Sequence, residues 1–193
     1  MRKLRQAQSL MRHRDVFPYL ELKGLIDSRR PADRIRFRSL FERYYGLNYA
    51  HRDQAFKDMF FEVLHLARKP KHADVILELR RCSGRMEFSF TSKLVSMRVE
   101  SEPIIDRHVL CFFQKKLPPT GSDAEERVKR YTDLLRYVKM SYILWARGGD
   151  VGIILHRLRR LDSRLSLCHD VRLLDFLVLK VGQENLDGEF GGQ

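Results

Sequence analysis

The chain has 193 residues, of which 44% are hydrophobic, enough to fill the core of one domain. This composition excludes disorder over most of the chain, and no run of about 18 uncharged apolar residues that would form a membrane span is present. The N-terminal residues also lack the apolar segment of a secretory signal peptide. We therefore predict a soluble, cytoplasmic protein without membrane association.

Basic residues dominate the charge of the chain. It contains 37 lysine and arginine residues against 25 acidic ones, which leaves a formal net charge of +12. Most of the positive charge stands in short arginine clusters, and a guanidinium suits phosphate oxygens better than an ammonium does. Nucleic acid is the favoured partner class. A solvated basic surface and an anionic membrane surface are the alternatives.

The three cysteines, Cys82, Cys111 and Cys168, lie far apart and form no Cys-x-x-Cys pair. This spacing disfavours disulfides, zinc sites and iron–sulfur clusters. We predict reduced thiols that are mostly buried, and neither a metal nor a cofactor.

Apolar residues recur at helical spacing along most of the chain, which predicts an all-α, multi-helix fold. No alternating pattern typical of hairpins competes with these segments. Helices are predicted around Phe37–Tyr45 and Phe56–Leu64 and over Ala73–Arg81, Phe90–Val99, Ile105–Lys115, Asp123–Ala146, Gly152–Leu161 and Val171–Lys180.

We predict a single helical domain over residues 1–180, with the option of two helical lobes and a cleft between them. The lobe junction would lie near residues 117–122, where two prolines and a glycine interrupt the helical pattern, with Ser122 or Asp123 capping the next helix. Residues 181–193 are rich in glycine and carry only acidic charges. We expect them to form a flexible tail.

One stretch of the chain carries candidate chemistry. The segment Ser89–Val95 is predicted to place Lys93 at the start of an apolar helix, and Asp106 follows at the start of the next helix, after Pro103. Asp106 would also suit an N-cap or the helix dipole, and from its spacing alone this structural role is favoured. For Lys93, the alternatives to a chemical role are a solvated residue, a phosphate contact or a member of an ion pair.

These residues resemble the helix-hairpin-helix (HhH-GPD) superfamily of DNA glycosylases over residues 83–113. The resemblance implies that Lys93 matches the nucleophilic lysine and Asp106 the essential aspartate, with His108 and Val109 completing the aspartate motif. Two features depart from the family pattern. Phe90, Thr91 and Ser92 stand where the hairpin glycines are expected, and the interval from lysine to aspartate is short.

The resemblance implies excision of a damaged or modified base, in repair or in defence against phages with modified genomes. Asp106 would stabilise the positive charge that develops on the deoxyribose when the glycosidic bond breaks. Lys93 would add strand cleavage through a Schiff base, whereas attack by water would leave an abasic site. The expected DNA contacts are Ser89, Thr91, Ser92, Arg85, Arg107 and His108.

A flipped base needs a pocket with aromatic and polar groups. Tyr44, Tyr45, Asn48 and Tyr49 end a predicted helix in a polar turn and are the candidates for this pocket, and the chain also offers Phe88, Phe90 and Trp145. Other aromatic residues at helical spacing are predicted to fill the core, namely Phe41, Phe56 and Phe60.

The chain also resembles a set of small uncharacterised bacterial helical proteins, which implies no activity, over four segments at residues 41–48, 60–64, 88–94 and 103–106. Two other functions stay open. The first is a non-enzymatic, basic nucleic-acid-binding protein in which Asp106 is structural, and the second is a helical module that binds an acidic protein. A monomer is favoured in each case.

Overall fold

Helices form all the regular secondary structure that the computed structural model describes, over residues 2–120 and 123–190, with only the backbone described for 184–190. Short 3-10 helices span Leu47–Ala50 and Ser163–Leu167. The α-helices are α1 (Arg2–Leu10), α2 (His13–Leu25), α3 (Pro31–Tyr44), α4 (Gln54–Leu66), α5 (His72–Ser83), α6 (Phe88–Arg98), α7 (Arg107–Phe113), α8 (Ala124–Ala146), α9 (Gly149–Arg159) and α10 (Asp170–Phe190).

The predicted all-α class is confirmed, and a helix is present at each of the eight predicted places. Helices α1 and α2 were not predicted. Dense basic residues obscure the pattern of α1, and Pro18 lies inside α2, where it removes a backbone N–H donor. Burial compensates for this loss, because Val16, Tyr19 and Leu22 on α2 are completely buried.

The chain divides into two compact units. The continuous unit is Arg14–Val99, and the discontinuous unit combines Met1–His13 with Glu100–Gln193. The division arises because α1 packs on α9 and α10, elements that lie far from it in the sequence. The unit boundaries therefore fall after His13 and Val99, whereas the sequence placed a lobe junction near 117–122. Asp123 caps α8, and Gly121 and Ser122 lie outside the described residues.

Aromatic rings fill the core of the continuous unit. The predicted core residues Phe41, Phe56 and Phe60 are buried, which confirms that interpretation. The Phe41 and Phe60 ring centroids lie 5.3 Å apart, and Phe41 meets Phe61 edge to face at 5.6 Å. Contacts of this kind between tilted rings stabilise a core beyond the burial of area alone.

Helix α10 is the central element of the discontinuous unit and packs against α1, α7, α8 and α9. Its residues Leu173, Leu174, Leu177 and Val178 are completely buried. The helix continues to Phe190, through the segment for which the sequence predicted a flexible tail from residue 181. Val181 and Gly182 are buried, so the packed part of α10 extends past Lys180, and residues 191–193 lie outside the described residues.

Gly182 marks a close approach between α10 and α7. A Cβ atom added there would lie 2.8 Å from His108 Cβ and closer still to the His108 carbonyl oxygen. We expect Gly182→Ala to lower the free energy of unfolding by about 1–3 kcal/mol, because the backbone of α7 would have to move. The matched control is Gly152→Ala on α9, where nothing lies within 4 Å. That change should raise stability by about 0.5–1 kcal/mol. Equal unfolding midpoints in urea for both variants would contradict the close packing.

None of the helices in the described ranges combines the length and the hydrophobicity needed to cross a membrane.

Candidate functional site

Asp106 lies at the start of α7, as the sequence predicts. Its Oδ1 accepts hydrogen bonds from the backbone N–H groups of His108 (3.0 Å) and Val109 (3.1 Å), which makes it the N-cap of the helix. The residue is 9% exposed, and among the described residues no donor contacts Oδ2. The cap therefore fixes the carboxylate through one of its two oxygens.

A buried polar cluster adjoins this cap within the discontinuous unit. Arg172 and Asp175 stand one turn apart on α10, and Arg172 Nη1 lies 2.7 Å from Asp175 Oδ2. Both residues are almost fully buried. The Asp175 carboxylate also accepts from the backbone N–H of Ile104, at 3.2 Å to Oδ2. Tyr142 of α8 lies beside Asp175, and Asp106 is near enough for its charge to affect Asp175. We name Asp106, Tyr142, Arg172 and Asp175 the buried cluster.

Burial dominates the proton equilibria of this cluster. It raises the pKa of Asp175 to about 7, against the lowering effects of Arg172 and the Ile104 N–H, and the nearby Asp106 charge adds to the increase. The pKa of Tyr142 is raised well above its ordinary value by burial and then by the negative charge of Asp175. The Tyr142 hydroxyl lies beside Asp175 but outside hydrogen-bonding geometry. Asp175 can therefore hold or release a proton near neutral pH.

The raised pKa of Asp175 predicts a pH dependence of stability. Between about pH 4 and pH 7 the folded protein holds a proton that the unfolded chain releases, so Asp175 should stabilise the fold at low pH and lose this contribution as the pH rises through 7. The slope is at most about 1.4 kcal/mol per pH unit. Urea unfolding at several pH values should show this slope in the wild type and not in Asp175→Asn. The same dependence of the free energy of unfolding on pH in both proteins would contradict this prediction.

Aromatic side chains extend from the buried cluster towards the surface. The Tyr142 ring centroid lies 5.9 Å from that of Phe113 and 5.8 Å from that of Trp145. Phe113 and Trp145 are stacked, with ring planes 5° apart and centroids 5.5 Å apart, and both are half-buried. The discontinuous unit therefore offers a partly exposed aromatic surface that contacts the Tyr142 ring of the buried cluster.

Lys93 is placed differently from the prediction. Helix α6 begins at Phe88, so Lys93 lies in its second turn and not at its start. Its Nζ donates to the Tyr45 carbonyl oxygen (3.0 Å) and lies 5.4 Å from the Phe90 ring centroid. Lys93 belongs to the continuous unit and Asp106 to the discontinuous unit.

The burial of Thr91 and Ser92 on α6 contradicts their prediction as phosphate contacts. Thr91 and Ser92 are completely buried, and Ser92 Oγ donates to the Ser89 carbonyl oxygen within the helix. Ser89 is half-buried. Because α6 starts at Phe88, these hydroxyls lie inside the helix and two of them face the core. Thr91 and Ser92 therefore do not form a phosphate-binding helix end.

The remaining predicted DNA contacts lie on or near the surface. Arg85 and Arg107 are exposed, and His108 is half-buried. Arg107 Nε donates to His108 Nε2 at 3.2 Å, and His108 Nδ1 is buried without a hydrogen-bond partner among the described residues. The two arginines remain available to phosphate groups.

The four residues predicted to form a base pocket differ in burial. Tyr45 is buried, with its hydroxyl 3.9 Å from Met97 Sδ, and it is therefore a core residue, which corrects its assignment. Tyr44 is half-buried and meets Tyr45 edge to face at 4.8 Å. Asn48 and Tyr49 are exposed, and Asn48 Oδ1 accepts from Lys57.

The cysteines differ in exposure more than the sequence suggested. Cys168 is buried, Cys111 is half-buried and Cys82 is exposed, and all three are free thiols. Within the described ranges, no group of three or more histidine, cysteine, aspartate or glutamate side chains is arranged to hold a metal ion.

Sequence reasoning missed three of the four members of the buried cluster, namely Tyr142, Arg172 and Asp175. A signal was present, because Arg172 and Asp175 are charged residues three positions apart in the apolar run Val171–Val178. Such a pair in a fully apolar helix segment indicates a buried ion pair.

The fold and the site together define an all-α protein with a buried carboxylate cluster at the start of a short helix. Comparisons with models of protein families, with curated proteins and with solved structures found no match to this chain.

Proposed function

We propose that the protein is a DNA glycosylase that excises a damaged or modified base by using the carboxylate of Asp106. The observation that carries this proposal is the position of Asp106, which has one oxygen fixed by the cap of α7 and the other without a donor among the described residues. A carboxylate held in this way needs little reorganisation when positive charge develops beside it.

The proposed reaction is hydrolysis of the bond between C1′ of the deoxyribose and the base nitrogen. As this bond breaks, the sugar gains positive charge, which the Asp106 carboxylate stabilises. A water molecule adds its oxygen to C1′ and loses a proton, and the base leaves with its bonding electron pair and gains a proton.

The half-buried rings of Phe113 and Trp145 support binding of the extruded base. They adjoin Tyr142 of the buried cluster, and a flipped base gains stability by stacking on aromatic faces. This surface replaces the predicted pocket at Tyr44 and Tyr45. It lies in the same unit as Asp106.

We propose water, and not Lys93, as the nucleophile. Lys93 Nζ already donates to the Tyr45 carbonyl oxygen at 3.0 Å, and Lys93 belongs to the unit that does not contain Asp106. The product is then an abasic site in an intact strand. Double-stranded DNA is the proposed substrate, bound through the net charge of +12 and exposed arginines such as Arg85 and Arg107.

The test is to incubate the purified protein with genomic DNA from several sources, including phage DNA with modified bases, in the absence of added metal. Mass spectrometry should detect released free base, and an aldehyde-reactive probe should detect one abasic site for each base. Strand breaks with borohydride trapping would contradict the water mechanism. Release from modified phage DNA alone would indicate defence, and release from damaged DNA would indicate repair.

A second candidate is a non-enzymatic nucleic-acid-binding protein. The low exposure of Asp106, 9%, and its cap hydrogen bonds favour this alternative. Both candidates predict a steep loss of DNA affinity as salt concentration rises, so salt titration does not separate them. Tight duplex binding without base release from any DNA would support the second candidate and contradict the first.

A further inference from the structure

A basic pocket of about 510 Å³ lies within the continuous unit, and the proposed glycosylase activity does not use it. Its volume falls in the range of small-molecule sites, about 300–1,000 Å³. Five cationic side chains line it against a single carboxylate, that of Asp27. The cations are Lys23, Arg29, Arg34, Arg68 and Arg98.

Arg98 forms the rigid base of this basic pocket. Its side chain is only 9% exposed and is held by Asp27 Oδ1 (2.6 Å) and by the carbonyl oxygens of Leu64 (2.6 Å) and His65 (3.3 Å). These contacts use three of the five N–H donors of a guanidinium. Arg98 is therefore fixed in one position with two donors remaining.

The arginines around Arg98 have charges that no carboxylate neutralises. Arg29, Arg34 and Arg68 are exposed, and among the described residues none of the three forms an ion pair. The positive potential also affects His65, whose pKa is lowered by burial and by the charges of Arg98 and Arg34. Unneutralised charge converging on a concave site indicates an anionic ligand.

We propose that the basic pocket binds a small anion with several linked phosphate groups, which Arg34, Arg68 and Arg98 contact through their guanidinium groups. Guanidinium forks match phosphate oxygens in geometry and charge. Several phosphates fit better than one because five cations surround the site. A concave site formed within one unit suits a small ligand better than the backbone of a duplex. The proposal is independent of the glycosylase activity.

The test is isothermal titration of the full chain with inorganic phosphate, inorganic tripolyphosphate, a nucleoside triphosphate and the unphosphorylated nucleoside. We expect tripolyphosphate to bind at least about tenfold more tightly than phosphate, and the nucleoside not to bind. A nucleoside triphosphate that binds more tightly than tripolyphosphate would identify a nucleotide ligand. Equal affinities for tripolyphosphate and the nucleoside triphosphate would identify the phosphate chain as the whole ligand.

The matched variants separate a built site from general charge attraction. Arg34→Ala/Arg68→Ala should weaken tripolyphosphate binding at least about tenfold. The control Arg157→Ala/Arg160→Ala removes the same charge from exposed positions in the other unit and should change affinity less than about twofold. Equal weakening in both variants, or no binding of tripolyphosphate by the wild type, would overturn the proposal. Circular dichroism checks that both variants stay folded.

Discussion

Asp106→Asn is expected to reduce the rate of base release at least about 100-fold while leaving duplex binding within about twofold of the wild type. Asparagine has nearly the size of aspartate and caps helices about equally well, so α7 should keep its start. Only the negative charge beside the reacting sugar is lost. Released base is measured by mass spectrometry under single-turnover conditions, and binding by fluorescence anisotropy.

Asp123→Asn is the matched control, because Asp123 caps α8 by accepting from the backbone N–H groups of Glu125 and Glu126. This variant makes the same chemical change at another N-cap in the same unit and should keep wild-type activity. Full activity in Asp106→Asn would contradict the catalytic assignment and leave Asp106 as a structural cap. A similar loss in both variants would point to a general effect of the charge change.

Arg172→Met is expected to lower the free energy of unfolding by about 3–5 kcal/mol at pH 8. Arg172 is completely buried, and its removal would leave the Asp175 carboxylate in the core without its cationic partner. Urea unfolding monitored by circular dichroism measures the change. At pH 5 the loss should be smaller, because the raised pKa of Asp175 keeps that carboxyl protonated in the fold.

Two further variants test this explanation. Arg159→Met breaks the partly exposed pair with Asp170, at 2.6 Å, and should cost less than about 1 kcal/mol. The double variant Arg172→Met/Asp175→Asn contains neither charge and should recover much of the lost stability, since asparagine can still accept from the Ile104 N–H. A double variant as unstable as Arg172→Met would show that lost packing, and not the unpaired charge, causes the effect.

The members of the buried cluster lie far apart in the chain, and the sequence therefore revealed only part of the candidate site. Asp106 was predictable, because an aspartate after a proline-bearing turn and before an apolar run is a typical N-cap. Asp175 follows Asp106 by 69 positions in the chain (175 − 106). Only the packing of α10 against α7 and α8 brings these residues together.

The position of Lys93 shows a second limit. The sequence placed it at a helix start because Ser89, Thr91 and Ser92 are typical capping residues. In the fold, apolar packing of Phe88 and Phe90 extends α6 towards its N-terminus, and the Thr91 and Ser92 hydroxyls are buried. Tertiary contacts therefore overrode the local capping preference.

The sequence by itself determined the all-α class, eight of the ten described α-helices, the aromatic core at Phe41, Phe56 and Phe60, and the helix start at Asp106. Helical periodicity and capping are local properties, so they can be read from neighbouring residues. The tertiary structure alone decided the buried cluster, the close contact at Gly182 and the basic pocket. These features depend on contacts between residues far apart in the chain. A local sequence pattern does not indicate the spatial distance between such residues.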